Sequence, residues 1–150
     1  MFKIDRKISY ALYVLGYFAS HKIGHKASAR EICNIHNTPF DATSRAMQQM
    51  AQKGWLHSAR GVGGGYSLQV NLNTITFLEL SEAVLGPIEM AKCLRAKLIA
   101  CDSVENCQVL DPAAKLSQKV TQLFAKIKIS ELVNNQDSLQ CDDNLVKLEI

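Results

Sequence analysis

The sequence predicts a mainly α-helical chain with a small β hairpin, or wing, near its middle. Two observations support this fold class. Apolar residues recur every three or four positions through most of the chain, as they do in amphipathic helices. Between two such stretches lies the glycine-rich sequence Gly61-Val-Gly-Gly-Gly65, flanked by short segments that suit β-strands, a pattern typical of a hairpin.

Length and composition are those of an ordinary globular domain, or of a small domain with an appendage. The chain has 150 residues, of which 47% are hydrophobic and 21% charged. No apolar run approaches the ~20 residues of a membrane span, and the N-terminus lacks the apolar core of a signal peptide. We therefore expect a cytoplasmic protein with no membrane partner and with reduced thiols.

Charge is unevenly distributed along the chain. Residues 1–66 contain nine Lys or Arg and three Asp or Glu, whereas residues 67–150 contain eight and eleven. A basic first half is typical of a protein that binds a polyanion. Charge alone is equally consistent with a basic surface that is merely solvated.

Two helices are predicted first. Helical spacing of apolar residues over 5–20 indicates an amphipathic helix. The sequence Ser28-Ala-Arg-Glu31 is a capping box that begins a short second helix. We expect Ile32 and Ile35 to be buried on that helix, with Cys33 in or beside the same core as a small apolar group.

A third helix is predicted to start at Thr38-Pro39-Phe40-Asp41, with Thr38 as the cap and Pro39 at the first helical position. Its predicted buried face carries Thr43, Ala46, Met47 and Met50. Its opposite face carries Asp41, Ser44, Arg45, Gln48 and Gln52, which are side chains that can reach base edges. Alone, that face would be ordinary solvent-exposed surface. However, only His36-Asn37 separates the second and third helices, which is typical of a helix-turn-helix.

The hairpin follows this pair of helices directly. Lys53-Gly54 ends the third helix, and strands are predicted over Trp55–Arg60 and Tyr66–Val70. Together these elements predict a winged helix-turn-helix, with Arg60 at the edge of the wing, where it can enter a narrow minor groove of DNA. A phosphate-binding loop is disfavoured because the glycines lead into a strand and no Gly-Lys-Ser/Thr ending follows.

The second half predicts two further helices. Thr76-Phe-Leu-Glu79 is a capping box, and Gly86-Pro87 ends the short helix that it begins. Asp111-Pro112 predicts the cap and first position of a long helix. Its apolar stripe consists of Leu116, Val120, Leu123, Phe124 and Ile127, with Ile129, Leu132 and Val133 continuing it. This area exceeds what a small winged helix covers, so we predict a homodimer paired through this helix.

Cysteines cluster between the two halves. Cys93, Cys101 and Cys107 are separated by seven and then five residues. A helix predicted from Met90 as far as Leu98 would present Cys93 and leave Cys101 and Cys107 on a loop. Thiolates suit zinc and iron–sulfur clusters, but zinc sites favour tighter pairs and a fourth ligand. Three incidental cysteines or a thiol–disulfide pair are the alternatives. We favour a metal centre, without choosing the metal from spacing, and expect Cys141 to be uninvolved.

These features together resemble the IscR-type winged-helix regulators, whose relatives include NsrR and RirA. The resemblance covers residues 3–136 and rests on the helix-turn-helix, the wing Arg60-Gly-Val-Gly-Gly-Gly-Tyr66, the three cysteines, the long helix and Ile129-Ser-Glu-Leu-Val133. It implies a homodimer that binds a palindromic double-stranded DNA operator and senses iron, redox state or nitric oxide through an iron–sulfur cluster.

The resemblance also implies site residues. Cys93, Cys101 and Cys107 would ligate the cluster. The predicted DNA-binding residues are Ser28, Thr38, Asp41, Ser44, Arg45, Gln48, Arg60, Gly63 and Tyr66. The predicted organisation is a DNA-binding domain over residues 1–86, a cysteine loop over 87–110, a dimerisation helix region over 111–133 and a flexible tail over 134–150.

The cysteine loop departs from the IscR pattern in two ways. The seven-residue gap resembles RirA, whereas IscR and NsrR have five residues there, and Leu110 occupies the position of an IscR histidine. A [4Fe–4S] cluster is therefore favoured over [2Fe–2S], with its fourth ligand open. Candidates for that ligand are Asp111, Asp5 or Ser9 of a partner subunit, or a small molecule.

No nucleophile–base pair or paired carboxylates indicate an enzyme. The main alternative function is a cluster-free regulator of the same fold that responds through thiol oxidation or a partner protein. An electron-transfer iron–sulfur protein is a second alternative, but it would not need a basic helix-turn-helix.

Overall fold

The computed structural model describes residues 4–61, 63–88 and 107–134. Within these ranges the chain forms six helices and one two-stranded antiparallel sheet, which confirms the predicted fold class. The elements are α1 (Arg6–Ala19), α2 (Ala29–His36), α3 (Phe40–Gln52), β1 (Leu56–Ala59), β2 (Gly65–Leu68), α4 (Phe77–Leu85), α5 (Leu110–Lys126) and α6 (Ile129–Val133).

Helix α1 lies at the centre of the core. Asp5 caps its first turn by accepting a hydrogen bond from the backbone N–H of Lys7 at 2.8 Å. Val14 and Leu15 are completely buried, and the helix packs against α3, α4 and α6. Helices α3, α4 and α6 are therefore mounted on one shared core.

Helix α2 begins where predicted, since the Ser28 hydroxyl accepts from the N–H of Glu31 at 3.1 Å. The predicted capping box is only half formed, because the Glu31 carboxylate accepts from the Tyr17 hydroxyl at 3.0 Å instead of reaching back to Ser28. Ile32 and Cys33 are buried, as predicted. The prediction for Ile35 is wrong, because its side chain is 58% exposed. Ile35 lies about 60° beyond Ile32 around the helix, outside the arc that also buries Ala29.

Helix α3 starts one residue later than predicted. Pro39 has an extended backbone and is the N-cap residue, so it is not the first helical residue. Thr38 does not cap the helix, because its Oγ1 instead accepts a hydrogen bond from the Thr43 hydroxyl at 2.9 Å. The predicted buried face is confirmed for Thr43, Ala46, Met47 and Met50.

The wing is shorter than predicted but has the predicted topology. β1 pairs antiparallel with β2, and the register sets Leu56 opposite Leu68 and Ala59 opposite Gly65. The N–H of Tyr66 donates to the carbonyl of Ala27 at 2.8 Å, and the reverse bond is 2.9 Å. This bridge ties β2 to the segment immediately before α2.

Helix α4 has the predicted capping box between Thr76 and Glu79 and the predicted end at Gly86. Helix α5 begins before its predicted cap. Asp111 lies inside its first turn, where it pairs with Lys115 at 2.7 Å, and Val109 is the N-cap residue. Since Asp111 is already within the helix, its side chain does not cap it.

The apolar stripe of α5 does not continue beyond Ile127. The chain becomes extended there, and the N–H of Phe77 donates to the Ile127 carbonyl at 2.8 Å. Ile129 and Val133 then turn into the core, while Leu132 stays exposed. The predicted continuation is therefore wrong, because this hydrogen bond redirects the chain toward α1.

Several predictions fall outside the described residues. These are the helix before Leu98, Cys93, Cys101, Cys141 and the tail beyond Asn134. Among the helices within the described ranges, none is long and apolar enough to cross a membrane.

Candidate nucleic-acid interface

Helix α3 presents a polar face above a buried apolar one. Met47 and Met50 are completely buried beneath it. Asp41, Arg45 and Gln48 are exposed on its other side, and Ser44 is half-buried. The spacing of three and four residues aligns these side chains along one side of the helix, so the structure brings the predicted recognition residues together.

A groove of about 420 Å³ borders this polar face. Asp41 and Arg45 line it together with Lys7 of α1 and Val84 of α4. Gln49 also lines the groove, and its Nε2 donates to the Val84 carbonyl at 3.4 Å. Lys7 was not predicted from the sequence, although the pair Arg6-Lys7 in the basic first half was a usable signal.

Ser28 directly precedes α2, and Thr38 lies in the turn between α2 and α3. Both hydroxyls already accept a hydrogen bond within the protein. Ser28 is exposed and accepts from the N–H of Glu31, whereas Thr38 is half-buried and accepts from Thr43. Each hydroxyl keeps its own proton available to donate. Both residues can therefore donate to a phosphate oxygen without losing their structural bond.

The wing exposes Arg60 and places Gly63 at its tip with φ of 79°. Position 64 requires a glycine, because a Cβ there would lie 2.5 Å from the Ala59 carbonyl oxygen. At Gly65 a Cβ would lie 2.9 Å from the Ala27 carbonyl oxygen. The sequence indicated a turn, but only the structure shows that the glycines also permit this packing.

Tyr66 is half-buried, and its backbone forms the bridge to Ala27. The bridge holds the wing against the beginning of α2. Arg60 and Arg45 consequently belong to one connected unit. Neither arginine forms a salt bridge with another described residue.

Behind the helix-turn-helix lies a cluster of aromatic and histidine rings. The Tyr17 hydroxyl donates to Glu31 Oε1 at 3.0 Å and is 3.1 Å from His25 Nε2. His36 stacks on Tyr13 with ring centroids 5.1 Å apart. These contacts join α1 to α2 and fix the orientation of the helix-turn-helix.

Two pKa values in this cluster are shifted. Burial raises the pKa of Tyr17, and its hydrogen bond to Glu31 raises it further. Burial lowers the pKa of His36. The Nε2 atom of His36 is buried and has no hydrogen-bond partner within the described part of the chain, so protonation there gains no compensating acceptor.

Cys107 is the one predicted cluster ligand within the described residues. Its thiol is free and half-buried, and it lies three residues before Leu110, where α5 begins. The described residues contain no group of three potential metal ligands. Cys93 and Cys101 fall outside them. Cys33 is also free, but it is buried in the core.

Comparison with known sequences finds similarity to transcriptional regulators. Residues 4–135 match the Rrf2 family, described as an iron-dependent transcriptional regulator. The chain is 23% identical over 141 residues to the transcriptional regulator IscR of Yersinia enterocolitica, a match that covers 94% of this chain and 85% of that protein.

Solved structures are similar in fold. CymR (YrzC), the global cysteine regulator of B. subtilis, matches with a TM-score of 0.67 and 21% identity, over 91% of this chain and 100% of that one. The oxidized form of Staphylococcus aureus CymR matches with a TM-score of 0.64 and 20% identity, over 88% and 96% of the two chains.

Proposed function

The chain belongs to the Rrf2 family of DNA-binding transcriptional regulators, and on that premise we propose that it is a homodimer that reads a palindromic operator and senses iron, redox state or nitric oxide through an iron–sulfur cluster. The observation that carries the DNA-reading part is the exposed Arg45, which forms no salt bridge with another described residue and lies on a helix whose opposite face is buried. In this proposal residues 1–86 bind DNA, residues 87–110 carry the cluster ligands and residues 111–133 pair two subunits.

Helix α3 enters the major groove in this proposal. Asp41, Ser44, Arg45 and Gln48 are exposed or half-exposed on one side of it, and Arg and Gln form bidentate contacts with guanine and adenine respectively. Ser28 and Thr38 contact the phosphate backbone, which sets the register. Arg60, supported by Gly63 and Tyr66 in the wing, reaches the adjacent minor groove.

The homodimer is supported by the surface of α5. No residue of this helix is fully buried, and Leu116 and Leu123 are 52% and 56% exposed. The two leucines are seven residues apart and lie on one face. A second copy of α5 would cover this face in an isologous contact, because the same patch then serves both subunits.

Cys93, Cys101 and Cys107 would hold the cluster. The free, half-buried thiol of Cys107 fits this role, because a thiolate ligand needs access to the cluster and partial shielding from water. A [4Fe–4S] cluster is favoured over [2Fe–2S], since Leu110 supplies no ligand and the first gap has seven residues. When bound, such a cluster would respond to iron supply, to redox state or to nitric oxide.

A packing path links Cys107 to the recognition helix. Cys107 leads into α5, where Phe124 packs edge-to-face on Phe77 of α4 with ring centroids 4.8 Å apart. At the other end of α4, the Val84 carbonyl accepts from Gln49 of α3. This continuity supports coupling between the cysteine loop and α3.

Anaerobic purification from iron-replete cells tests the cluster. We expect a coloured protein that contains iron and acid-labile sulfide, and Cys107→Ala should lose the colour and most of the iron. Cys33→Ala is the matched control, because Cys33 is a free thiol in the core. An iron-free, colourless wild-type protein would reject cluster sensing but not DNA binding.

A cluster-free regulator that senses thiol oxidation is the second candidate. It is supported by the similarity to a CymR structure solved in an oxidized form and by the accessible thiol of Cys107. In this case the metal-free protein would change its operator affinity on treatment with a thiol oxidant, and Cys107→Ser would abolish that response. If the metal-free protein does not respond to the oxidant, the remaining form of this second candidate is a regulator that responds through a partner protein.

A further inference from the structure

Arg30 and Phe40 form a pair that joins the two helices of the helix-turn-helix. Arg30 lies in the first turn of α2, and Phe40 is the first residue of α3. The Cζ atom of Arg30 lies 5.8 Å from the centroid of the Phe40 ring. This distance is within the range of a cation–π interaction.

Core packing does not explain either residue. Arg30 is exposed, and Phe40 is 48% exposed. The buried arc of α3 is formed by other residues, of which Thr43 and Ala46 are the nearest along the chain. The exposed ring therefore acts mainly as a flat support, which restricts the guanidinium to fewer conformations than a free surface arginine has.

The charge of Arg30 is available for a ligand. Arg30 forms no salt bridge with any residue in the described ranges. The adjacent carboxylate, Glu31, instead accepts a hydrogen bond from the Tyr17 hydroxyl at 3.0 Å. Because the guanidinium is held in place and unpaired, it loses little conformational entropy when an anion binds.

The position of Phe40 indicates that the anion bound by Arg30 is a phosphate of the DNA backbone. Phe40 directly precedes Asp41, and both begin the helix whose exposed face carries Arg45. A double helix that contacts this face brings its backbone past the beginning of α3. Arg30 of α2 lies beside this point, because its Cζ is 5.8 Å from the centroid of the Phe40 ring.

We propose that Arg30, held over the Phe40 ring, contacts a DNA phosphate beside the recognition helix. The planar guanidinium fork matches two phosphate oxygens. The contact sets the register of α3 in the groove but carries no sequence information. This inference rests on the DNA-binding function of the helix-turn-helix and adds two residues, Arg30 and Phe40, to it.

The test compares Arg30→Gln with wild type on operator DNA and on unrelated DNA, at several salt concentrations. We expect the affinity to fall about threefold to tenfold on both DNAs, with the salt-dependence slope reduced by about 1. Phe40→Leu keeps the apolar volume and the Arg30 charge. It should therefore weaken binding less than Arg30→Gln and leave the slope nearly unchanged.

Lys22→Gln is the matched control, because it removes one exposed positive charge just beyond the end of α1, beside a pocket that Asn73 and Asn134 line and no residue of α3 lines. It should change neither affinity nor slope. Thermal unfolding of all three variants should resemble that of wild type, since every substituted side chain is largely exposed.

Three outcomes would overturn the proposal while leaving DNA binding intact. Unchanged affinity and slope in Arg30→Gln would mean that the pair serves another ligand, such as an acidic protein surface. A loss confined to operator DNA would make Arg30 a base contact. Phe40→Leu that behaves like wild type would reject the supporting role of the ring. A wild-type protein that bound no DNA would instead reject the proposed function itself.

Discussion

Arg45 combines the two properties that a base-reading side chain needs. It is exposed and free of salt bridges with described residues, and its helix is anchored by the buried Met47 and Met50. A flexible side chain on a rigid helix can reach a base edge without moving the backbone. This is a stronger basis for a base contact than the sequence offered, where the same face was also compatible with plain solvent exposure.

Arg45→Ala should weaken binding to the operator by about 1–3 kcal/mol and relax discrimination at one base position. Binding to unrelated DNA should change much less, in contrast to Arg30→Gln. Titration of both DNAs at one salt concentration measures this difference. Asn34→Ala, at an exposed position of α2, is the control, and an equal loss on both DNAs would contradict base reading by Arg45.

His36 makes the stability of the fold sensitive to acid. Because burial lowers its pKa in the folded state, the unfolded chain binds its proton at a higher pH than the folded chain does. The stabilising contribution is complete above the unfolded pKa of about 6.5 and is lost as the pH falls from there through the folded pKa.

His36→Phe should therefore flatten the decline in melting temperature between pH 7.5 and 5.5. The ring still stacks on Tyr13, and a buried Nε2 without a partner is replaced by carbon, so stability at pH 7.5 should change by less than about 1.5 kcal/mol. Melting curves across this range measure the effect. Identical slopes for wild type and variant would show that other groups cause the acid sensitivity.

At the scale of elements, α5 differs from the other long helices. Helices α1 and α3 each bury one face in the core, whereas α5 contacts it mainly through half-buried residues such as Phe124. Its leucine face is left to solvent in the single chain. This difference is the physical reason to expect pairing through α5.

The double variant Leu116→Asp/Leu123→Asp should convert a dimer into a monomer at micromolar concentration. Charges at the centre of a paired apolar face are costly to bury, and loss of the second half-site contact should lower operator affinity at least about tenfold. Sedimentation or light scattering gives the mass. Leu85→Asp is the control, because Leu85 is 43% exposed on α4, and a double variant that stayed dimeric would reject this interface.

The starts of helices were predicted correctly where a side chain caps the backbone. They were predicted wrongly where a proline follows the expected cap. The hydroxyls of Ser28 and Thr76 cap their helices as the sequence pattern indicates, because each accepts from a residue only three positions on. Only Thr76 forms the full capping box, since the Glu31 carboxylate bonds to Tyr17 instead. The starts at Pro39 and Asp111 are each displaced. Thr38 found a tertiary hydroxyl partner, and α5 extends back to Leu110, so neither start could be located from local spacing.

At the scale of the whole molecule, the proposed dimer carries two α3 helices related by a two-fold axis. Each α3 is fixed to its own core by buried methionines. The distance between the two helices is therefore set by the dimer contact, and half-sites should lie about one helical turn of DNA apart, near 34–36 Å.

Inserting about half a turn, or ~5 base pairs, between the half-sites should reduce wild-type affinity to the level of a single half-site. The second half-site then lies on the opposite side of the duplex, where the other subunit cannot reach it. Titration of operators with inserts of different length measures the effect. If the operator with the half-turn insert kept full affinity, the dimer would not hold its two α3 helices at a fixed distance.

By itself, the sequence determined the mainly helical class, the helix-turn-helix with its wing, and the polar face of α3. These depend on contacts between residues close in the chain, which periodicity and capping patterns record. Only the tertiary structure decided that Ile129 and Val133 enter the core, that Gly64 must lack a side chain and that Arg30 rests on Phe40. Such contacts join residues that are distant in sequence or on separate helices, and the packing of the whole chain determines them.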